Sequence, residues 1–239
     1  MPADQEVPMK KQNIVVLSGA GMSAESGVMT FRGNGGLWHN HRIEEVATPE
    51  AWESNRSLVL RFYNERRAQL FQVEPNTGHL ALAALERHHR VRIITQNVDD
   101  LHERAGSTEV LHLHGKLREV RSEWDETLIL PWTKDLNEGD LAPDGAQLRP
   151  NIVWFGEAVP AMSNAIPIVE EADHLVIIGT SLQVYPAAGL SRFLKPGTPC
   201  TYIDPAPNRA GLDPSVQVIA KNAGEGVPEW ITSLPVHRS

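Results

Sequence analysis

The sequence predicts an α/β protein with a doubly wound parallel β-sheet and a smaller inserted module. Short apolar runs rich in β-branched residues recur along the chain, helical patterns lie between them, and a glycine-rich turn follows the first run. The runs that we predict to be buried strands are residues 13–17, 91–95, 110–113, 175–178, 201–203 and 216–219. In such a sheet ligands bind outside the carboxyl ends of the strands, so the residues that follow each run are candidates for function.

A helix is predicted over residues 77–88, between the first two strands. Asn76 is a suitable N-cap, and Leu80, Ala83 and Ala84 recur at helical spacing. The alternation of strand and helix is what the doubly wound fold requires.

Two stretches do not fit this alternation. Residues 33–74 are helix-rich, whereas residues 116–149 are polar, contain several prolines and glycines, and show no convincing long element. We expect these two stretches to form one smaller module, and residues 1–32, 75–115 and 150–239 to form the larger domain.

Composition limits the classes of function. The 239 residues are 41% hydrophobic, which is enough for one sizeable core, and the net charge of −8 predicts no affinity for nucleic acid. No apolar run approaches the roughly 18 residues of a membrane span, and the N-terminus lacks the apolar core of a signal peptide. We therefore expect a cytoplasmic protein that does not associate with a membrane. A single cysteine, Cys200, excludes an internal disulfide and cysteine-ligated zinc.

The first candidate motif follows the first strand. Gly19, Gly21 and Ala24 form a G-x-G-x-x-A pattern, in which glycines let backbone N–H groups approach a pyrophosphate and a following helix N-terminus favours negative charge. The alternative is a plain glycine turn between strand and helix. No second strand ending in Asp or Glu follows about 20 residues later, which disfavours hydride transfer.

A second motif, residues 30–33, comes soon after this turn. Arg32 is suited to meet a phosphate or to orient a ribose, and Phe31 is suited to cover a reactive ring. A surface arginine beside a core phenylalanine is the alternative.

Polar residues also follow later strands. Gln96, Asn97 and Asp99 follow the second strand and could bind a ribose or an amide, although one of them could serve only as a helix cap. His114 follows the third strand, where a histidine can act as a general base near neutral pH, although a lone histidine is usually structural. The small-residue turn at 179–181 follows the fourth strand and could approach a phosphate.

An apolar segment flanked by Pro150 and Gly156 is the last candidate. It is typical either of an edge segment that pairs with an extended peptide or of a core strand.

Taken in order, these motifs closely resemble those of the sirtuins. The matching runs are Gly-Ala-Gly-Met-Ser-Ala-Glu-Ser-Gly, Phe-Arg-Gly, Thr-Gln-Asn-Val-Asp, His-Gly, Val-Trp-Phe-Gly-Glu and Gly-Thr-Ser-Leu, over about residues 13–227. The resemblance implies a Rossmann-type domain and a small domain, with NAD and an acyl-lysine peptide or protein meeting between them. It implies an NAD pocket lined by Gly19, Ala20, Gly21, Ser23, Phe31, Arg32, Gln96, Asn97, Asp99, Gly179, Thr180, Ser181 and, where relatives often have Asn, Asp204.

The resemblance also implies catalysis by His114 with Asn97, and peptide pairing by Ile152, Val153, Phe155 and Gly156. In the implied reaction the acyl oxygen attacks the ribose carbon that bears nicotinamide, and His114 accepts a proton from a ribose hydroxyl. The products are free lysine, nicotinamide and O-acyl-ADP-ribose. ADP-ribosyl transfer to protein, NAD hydrolysis and a non-catalytic NAD sensor are the alternatives.

The chain departs from its resemblance in one region. Sirtuins carry four cysteines between the catalytic His-Gly and the Arg-Pro segment, whereas residues 116–149 contain neither Cys nor His. We therefore expect a metal-free module. Its replacement for the metal is expected to be an apolar cluster of Trp124, Leu128, Ile129, Leu130 and Trp132.

A final feature concerns the choice of acyl group. Tyr63 and Arg66 are three residues apart and share one face of a predicted helix, as in sirtuins that remove succinyl and malonyl groups. A phenol and a guanidinium together could bind a terminal carboxylate. The alternative is a solvated arginine on an amphipathic helix.

Overall fold

The computed structural model describes residues 11–28, 41–209 and 212–234, so the predicted cofactor residues Phe31 and Arg32 lie outside the described residues. Its strands are β1 Asn13–Ser18, β2 Arg90–Thr95, β3 Val110–His112, β4 Gly115–Ser122, β5 Ile129–Pro131, β6 Leu148–Ile152, β7 His174–Ile178, β8 Cys200–Ile203 and β9 Gln217–Ile219. Its α-helices are α1 Ile43–Val46, α2 Pro49–Ser54, α3 Arg56–Leu70, α4 Thr77–Leu85, α5 Leu101–Ala105, α6 Met162–Glu170 and α7 Ala223–Ser233. In this part of the chain no helix has the length and apolar character to cross a membrane.

Six strands form one parallel sheet in the order β3-β2-β1-β7-β8-β9. All six are strands that the sequence predicted, and the doubly wound α/β prediction is confirmed. The chain builds outward from β1 in one direction and then returns to build outward from β7 in the other. The order of strands therefore reverses between β1 and β7, and such a reversal opens a crevice at the carboxyl ends of the two strands.

Helices cover both faces of this sheet because successive residues of each strand point to opposite sides. In β1, Ile14 and Val16 pack into a cluster with Trp230 of α7, whereas Val15 and Leu17 pack into a second cluster on the other face. The central strands β1, β2 and β7 are mostly apolar because residues on both of their faces are buried.

Helix α4 begins where the sequence predicted. The side-chain oxygen of Asn76 accepts hydrogen bonds from the backbone N–H groups of Gly78 and His79, at 2.9 and 3.3 Å. The helix ends at Leu85, three residues before the predicted end.

The remaining strands form a three-stranded antiparallel sheet in the order β5-β4-β6, which packs through a shared apolar cluster against α1, α2 and α3. The prediction that residues 116–149 contain no long element was wrong, because β4 has eight residues. Apolar Leu117 and Val120 of β4 are buried in that cluster, while its arginines reach acidic partners elsewhere. The predicted domain boundary at residue 150 falls inside β6, which spans Leu148–Ile152. The division of the chain into two domains stays a prediction.

The apolar cluster predicted to replace a metal is only partly present. Trp124 is 75% exposed and Ile129 is 45% exposed, so neither contributes a buried contact. Leu128, Leu130 and Trp132 do pack against the core of the module. Polar contacts also contribute to the structure of this region.

One side chain, Gln147, makes four hydrogen bonds within this region. Its Nε2 donates to the carbonyl oxygens of Asn137, Asp140 and Leu148 at 3.1, 3.1 and 2.9 Å. Its Oε1 accepts from the N–H of Gly139 at 2.7 Å. Within the described residues, no group of three or more His, Cys, Asp or Glu side chains is arranged to hold a metal ion.

Candidate functional site

A cavity of about 550 Å³ lies at the carboxyl ends of β1 and β7, where the strand order reverses. This volume is in the usual range for a small-molecule site, roughly 300–1,000 Å³. Every site residue that the sequence predicted within the described part of the chain lines this cavity. They are Gly19, Ala20, Gly21, Ser23, Tyr63, Arg66, Gln96, Asn97, Asp99, His114, Ile152, Val153, Phe155, Gly156, Gly179, Thr180, Ser181 and Asp204.

The glycine loop after β1 packs directly against the loop after β7. The N–H of Gly21 donates to the carbonyl oxygen of Gly179 at 2.8 Å, and the N–H of Gly19 donates to that of Ile178 at 2.9 Å. A Cβ on Gly21 would lie 2.7 Å from the Cα of Gly179, so a larger residue would separate the two loops. The N–H groups of Gly19 and Gly21 are therefore bonded within the protein.

The helix predicted after this loop is also absent from the described residues. Two short 3₁₀ turns, Ala20–Met22 and Ala24–Ser26, take its place and end at Gly27, whose φ is +91°. Turns of three residues do not align enough peptide groups to form a helix dipole, so the predicted attraction of an anion to a helix N-terminus does not apply here.

The segment after β2 holds both loops in place. The amide nitrogen of Asn97 donates to the carbonyl oxygen of Gly19 and to the hydroxyl of Ser23, both at 3.1 Å. The amide nitrogen of Gln96 donates to the hydroxyl of Thr180 at 3.0 Å. Neutral amides therefore connect the end of β2 to the loops that follow β1 and β7.

Asp99 places a carboxyl group in the same segment. It is 4% exposed, and burial raises the pKa of its carboxyl, while hydrogen bonds from the Leu101 N–H and Ser23 act in the opposite direction. The carboxyl accepts from the Leu101 N–H at 3.2 Å, so part of its hydrogen-bonding capacity serves to begin α5.

His114 has the geometry of a general base. Its Nδ1 lies 3.0 Å from the carbonyl oxygen of Gln96, and because a carbonyl only accepts, Nδ1 carries the proton. The neutral ring then has its free lone pair on Nε2. Burial lowers the pKa of His114, although its bond to Gln96 partly opposes this, so the neutral form persists through the physiological range.

Tyr63 and Arg66 of α3 line the same cavity. Tyr63 is fully buried and Arg66 is 6% exposed, so the alternative of a solvated arginine on a helix surface was wrong. Burial lowers the pKa of the Arg66 guanidinium to about 10, while electrostatic interactions with Tyr63 and Asp99 act in the opposite direction. The hydroxyl oxygen of Tyr63 accepts a hydrogen bond from the indole Nε1 of Trp154 at 3.0 Å, which leaves its own proton to be donated.

The segment predicted to pair with a peptide, Ile152–Gly156, begins at the last residue of β6. Strand β6 is buried, and it is also an edge strand of the smaller sheet. Its backbone is tied down at two points. The N–H of Val153 donates to the carbonyl oxygen of His114, and that of Phe155 donates to that of Ala47, both at 3.0 Å. Phe155 lines the cavity and is 42% exposed. Gly156 has a φ of +92°, and the chain changes direction there.

Sequence reasoning missed several residues of the cavity. Trp154 and Glu157 belong to the recognised Val-Trp-Phe-Gly-Glu motif, so considering the hydrogen-bonding groups of every side chain in that motif could have identified them. Tyr185 lines the cavity and is 64% exposed, but no local pattern marks it. Asp204, which was predicted, also accepts a bond from the Ala206 N–H at 2.8 Å.

Comparison with known proteins gives consistent matches. A family model described as the Sir2 family matches residues 19–186. The chain is 56% identical over 223 residues to an NAD-dependent protein deacylase of Helicobacter pylori strain J99, covering 93% of this chain and 95% of the relative. It is 52% identical over 224 residues to one of Bacteroides thetaiotaomicron, covering 91% and 96%. Among solved structures, a complex of a Sir2 homologue with NAD superposes with a TM-score of 0.82 at 40% identity, covering 92% of this chain and 88% of the other.

Proposed function

The chain belongs to the Sir2 family and is an NAD-dependent protein deacylase, and we propose that its acyl pocket takes succinyl and malonyl groups in addition to acetyl. The observation that carries this proposal is the buried Arg66 guanidinium beside Tyr63, in the same cavity as His114. The guanidinium and the Tyr63 hydroxyl are hydrogen-bond donors, and a carboxylate at the end of an acyl chain could accept hydrogen bonds from both.

The residues of the cavity fit NAD. The interlocked loops at 19–23 and 179–181 form one wall of the cavity, and the absence of side chains at their glycines lets the two loops pack directly against each other. Gln96, Asn97, Asp99 and Asp204 add polar groups along it. When bound, NAD would supply a ribose carbon with nicotinamide as its leaving group; Asn97 and Asp99 would hold that end of the molecule, and Asp204 would lie near the adenosine half.

His114 is the general base in this proposal. Its protonated Nδ1 is held by Gln96, and its Nε2 accepts the proton of a ribose hydroxyl. The lowered pKa keeps Nε2 free to accept at neutral pH. Asn97 assists by keeping the glycine loop against the cofactor site through its bonds to Gly19 and Ser23.

The substrate peptide pairs with the segment Ile152–Gly156 as an added strand. Support comes from the edge position of β6 and from the exposed Phe155 beside the cavity. Main-chain hydrogen bonds then give affinity for extended peptides of varied sequence. The bond between Val153 and the carbonyl of His114 fixes the distance between the peptide and the base.

The acyl chain extends from the peptide toward α3. There the Arg66 guanidinium and the Tyr63 hydroxyl are both hydrogen-bond donors, and a carboxylate has only acceptors. An acetyl group is small enough to enter without using either donor. We also propose that residues 33–74 and 116–149 form a metal-free small module beside an NAD-binding domain of residues 1–32, 75–115 and 150–239.

The proposal is tested by measuring kcat/KM for one peptide carrying acetyl, succinyl or malonyl lysine, with NAD in excess and the products identified by mass spectrometry. We expect nicotinamide, free lysine and the matching O-acyl-ADP-ribose from all three. Activity on acetyl alone would contradict the acidic-acyl pocket. Free ADP-ribose or ADP-ribosylated protein as the main product would instead support NAD hydrolysis or ADP-ribosyl transfer.

A further inference from the structure

A second histidine, His112, lies two residues before His114 and bonds to the same segment of chain. The Nδ1 of His114 donates to the carbonyl oxygen of Gln96 at 3.0 Å, and the Nδ1 of His112 lies 2.9 Å from the carbonyl oxygen of Asn97. Side chains two positions apart in an extended chain point to the same side, which allows both rings to reach this segment. Two successive carbonyl groups after β2 are thus held by histidines of the neighbouring strand and its end.

The other ring nitrogen of His112 bonds to an acidic residue of α5. Its Nε2 lies 2.8 Å from Oε1 of Glu103, which also accepts from Nζ of Lys116 at 3.1 Å. Burial raises the pKa of Glu103, but the hydrogen bonds and charge of His112, with Lys116, outweigh burial and bring it to about 2. Glu103 is therefore a carboxylate at neutral pH and can only accept hydrogen bonds.

The protonation state of His112 follows from its two partners. A carbonyl oxygen and a carboxylate both accept, so both ring nitrogens must donate, and the ring is an imidazolium. A neutral ring would place a lone pair against one of the two oxygens at under 3 Å. The side chain of His112 is 4% exposed, so this positive charge is almost fully screened from water.

The charge lies behind the residues that face the cavity. Asp99 is 4% exposed, and the positive charge of His112 favours the ionised form of its carboxyl against the effect of burial. His112 also fixes the main chain at Asn97, whose side-chain amide bonds to Gly19 and Ser23. His112 itself is not among the residues that line the cavity.

We propose that His112, held as a cation by Glu103, is a positioning residue for deacylation that sets the Asn97 backbone and the charge of Asp99 without touching either substrate. Because it acts on the NAD side of the cavity, its effect should be the same for every acyl group. This inference requires only the NAD-dependent reaction and is independent of the preference for acidic acyl chains.

The test compares His112→Gln, Glu103→Gln and the double variant with His174→Gln as the matched control. His174 is also a partly buried histidine that bonds to a hydroxyl, that of Thr201 at 2.9 Å, but it lies at the amino end of β7, away from the cavity. We expect each of the first two variants to lower kcat about 10-fold or more, the size expected for one lost charge-assisted hydrogen bond. The KM for peptide and the ratio of succinyl to acetyl activity should not change.

Two further measurements distinguish a positioning role of His112 from a role in packing alone. The double variant should be no slower than the slower single variant, because the two residues act as one unit. Nitrogen-15 NMR of the His112 ring at neutral pH should show both nitrogens protonated in the wild type and only one in Glu103→Gln. The proposal would be overturned by a wild-type kcat in either single variant or by additive losses in the double variant. It would also be overturned by a wild-type His112 ring with only one protonated nitrogen, or by an equal loss of kcat in His174→Gln. Should His112→Gln fail to fold, Glu103→Gln alone decides between these outcomes.

Discussion

The indole Nε1 of Trp154 donates a hydrogen bond of 3.0 Å to the hydroxyl oxygen of Tyr63, and so connects the peptide-pairing segment to the acyl pocket. The two rings also pack together, with centroids 6.4 Å apart. Because the indole occupies an acceptor site on the Tyr63 oxygen, the phenolic proton is directed elsewhere. Trp154 therefore helps to make the end of the pocket a donor.

The first prediction concerns this contact. Trp154→Phe removes the donor and should lower kcat/KM for a succinyl peptide about 2- to 10-fold, as expected for one neutral hydrogen bond, with a smaller effect on an acetyl peptide. Tyr63→Phe should act in the same direction. Trp124→Phe is the matched control, since Trp124 is 75% exposed. Equal losses on both peptides would argue that Trp154 serves packing alone.

The second prediction concerns Arg66. Arg66→Met should lower kcat/KM for succinyl peptide by about 10- to 150-fold, because a charge-assisted contact of roughly 1.5–3 kcal/mol is lost. Acetyl activity should hold or improve, since an acetyl group offers no carboxylate. Arg61→Met, at an exposed position of the same helix, should change neither activity. Parallel loss of both activities in the Arg66 variant would favour a structural role.

The third prediction is a pH dependence. His114 must be neutral to accept a proton, and burial lowers its pKa from the ordinary value of 6.5. The kcat/KM should therefore fall on the acid side with a midpoint below 6.5, and stay level from there through neutral pH. In His114→Ala the rate should drop by about 10²–10⁴ and this acid limb should disappear. An unchanged acid limb in that variant would assign the titration to another group.

The fourth prediction concerns Asn97. Asn97→Ala loses the two bonds that hold the glycine loop, at 3.1 Å each, so NAD should bind less well. Activity should fall by the same factor for acetyl, succinyl and malonyl peptides, because NAD is common to all three reactions. A loss confined to one acyl group would place Asn97 in the acyl pocket instead.

The fifth prediction is metal independence. Purified protein should contain no stoichiometric zinc, and a chelator should change neither the rate nor the melting temperature. Gln147→Ala should lower the free energy of unfolding by about 2 kcal/mol or more, because several hydrogen bonds within the module are lost together. A melting transition shifted by chelator would reveal a metal site.

Local patterning was sufficient for the main sheet. Its central strands β1, β2 and β7 are buried on both faces, which favours nearly continuous apolar runs, and such runs can be recognised in the sequence without knowledge of the neighbouring strands. Strand β4 escaped prediction because its apolar residues Leu117 and Val120 are three apart, which breaks the alternation that marks a strand, and its register shifts between Gly115 and Val120. Its Arg118 bonds to Asp100 at 2.8 Å and its Arg121 lies 3.4 Å from Glu157, and these partners are not identifiable from the strand itself.

The functional site, like the fold, was predicted in part from the sequence and determined in part by the tertiary structure. The motifs located the cavity residues, because chemistry at strand ends requires particular side chains in a particular order. Long-range contacts determined what those residues do: Gly21 is needed because Gly179 packs against it, and Tyr63 donates into the pocket because Trp154, 91 residues away, occupies its oxygen. Burial, hydrogen-bond direction and pKa depend on which atoms surround a group in space, and folding brings those atoms from distant parts of the chain.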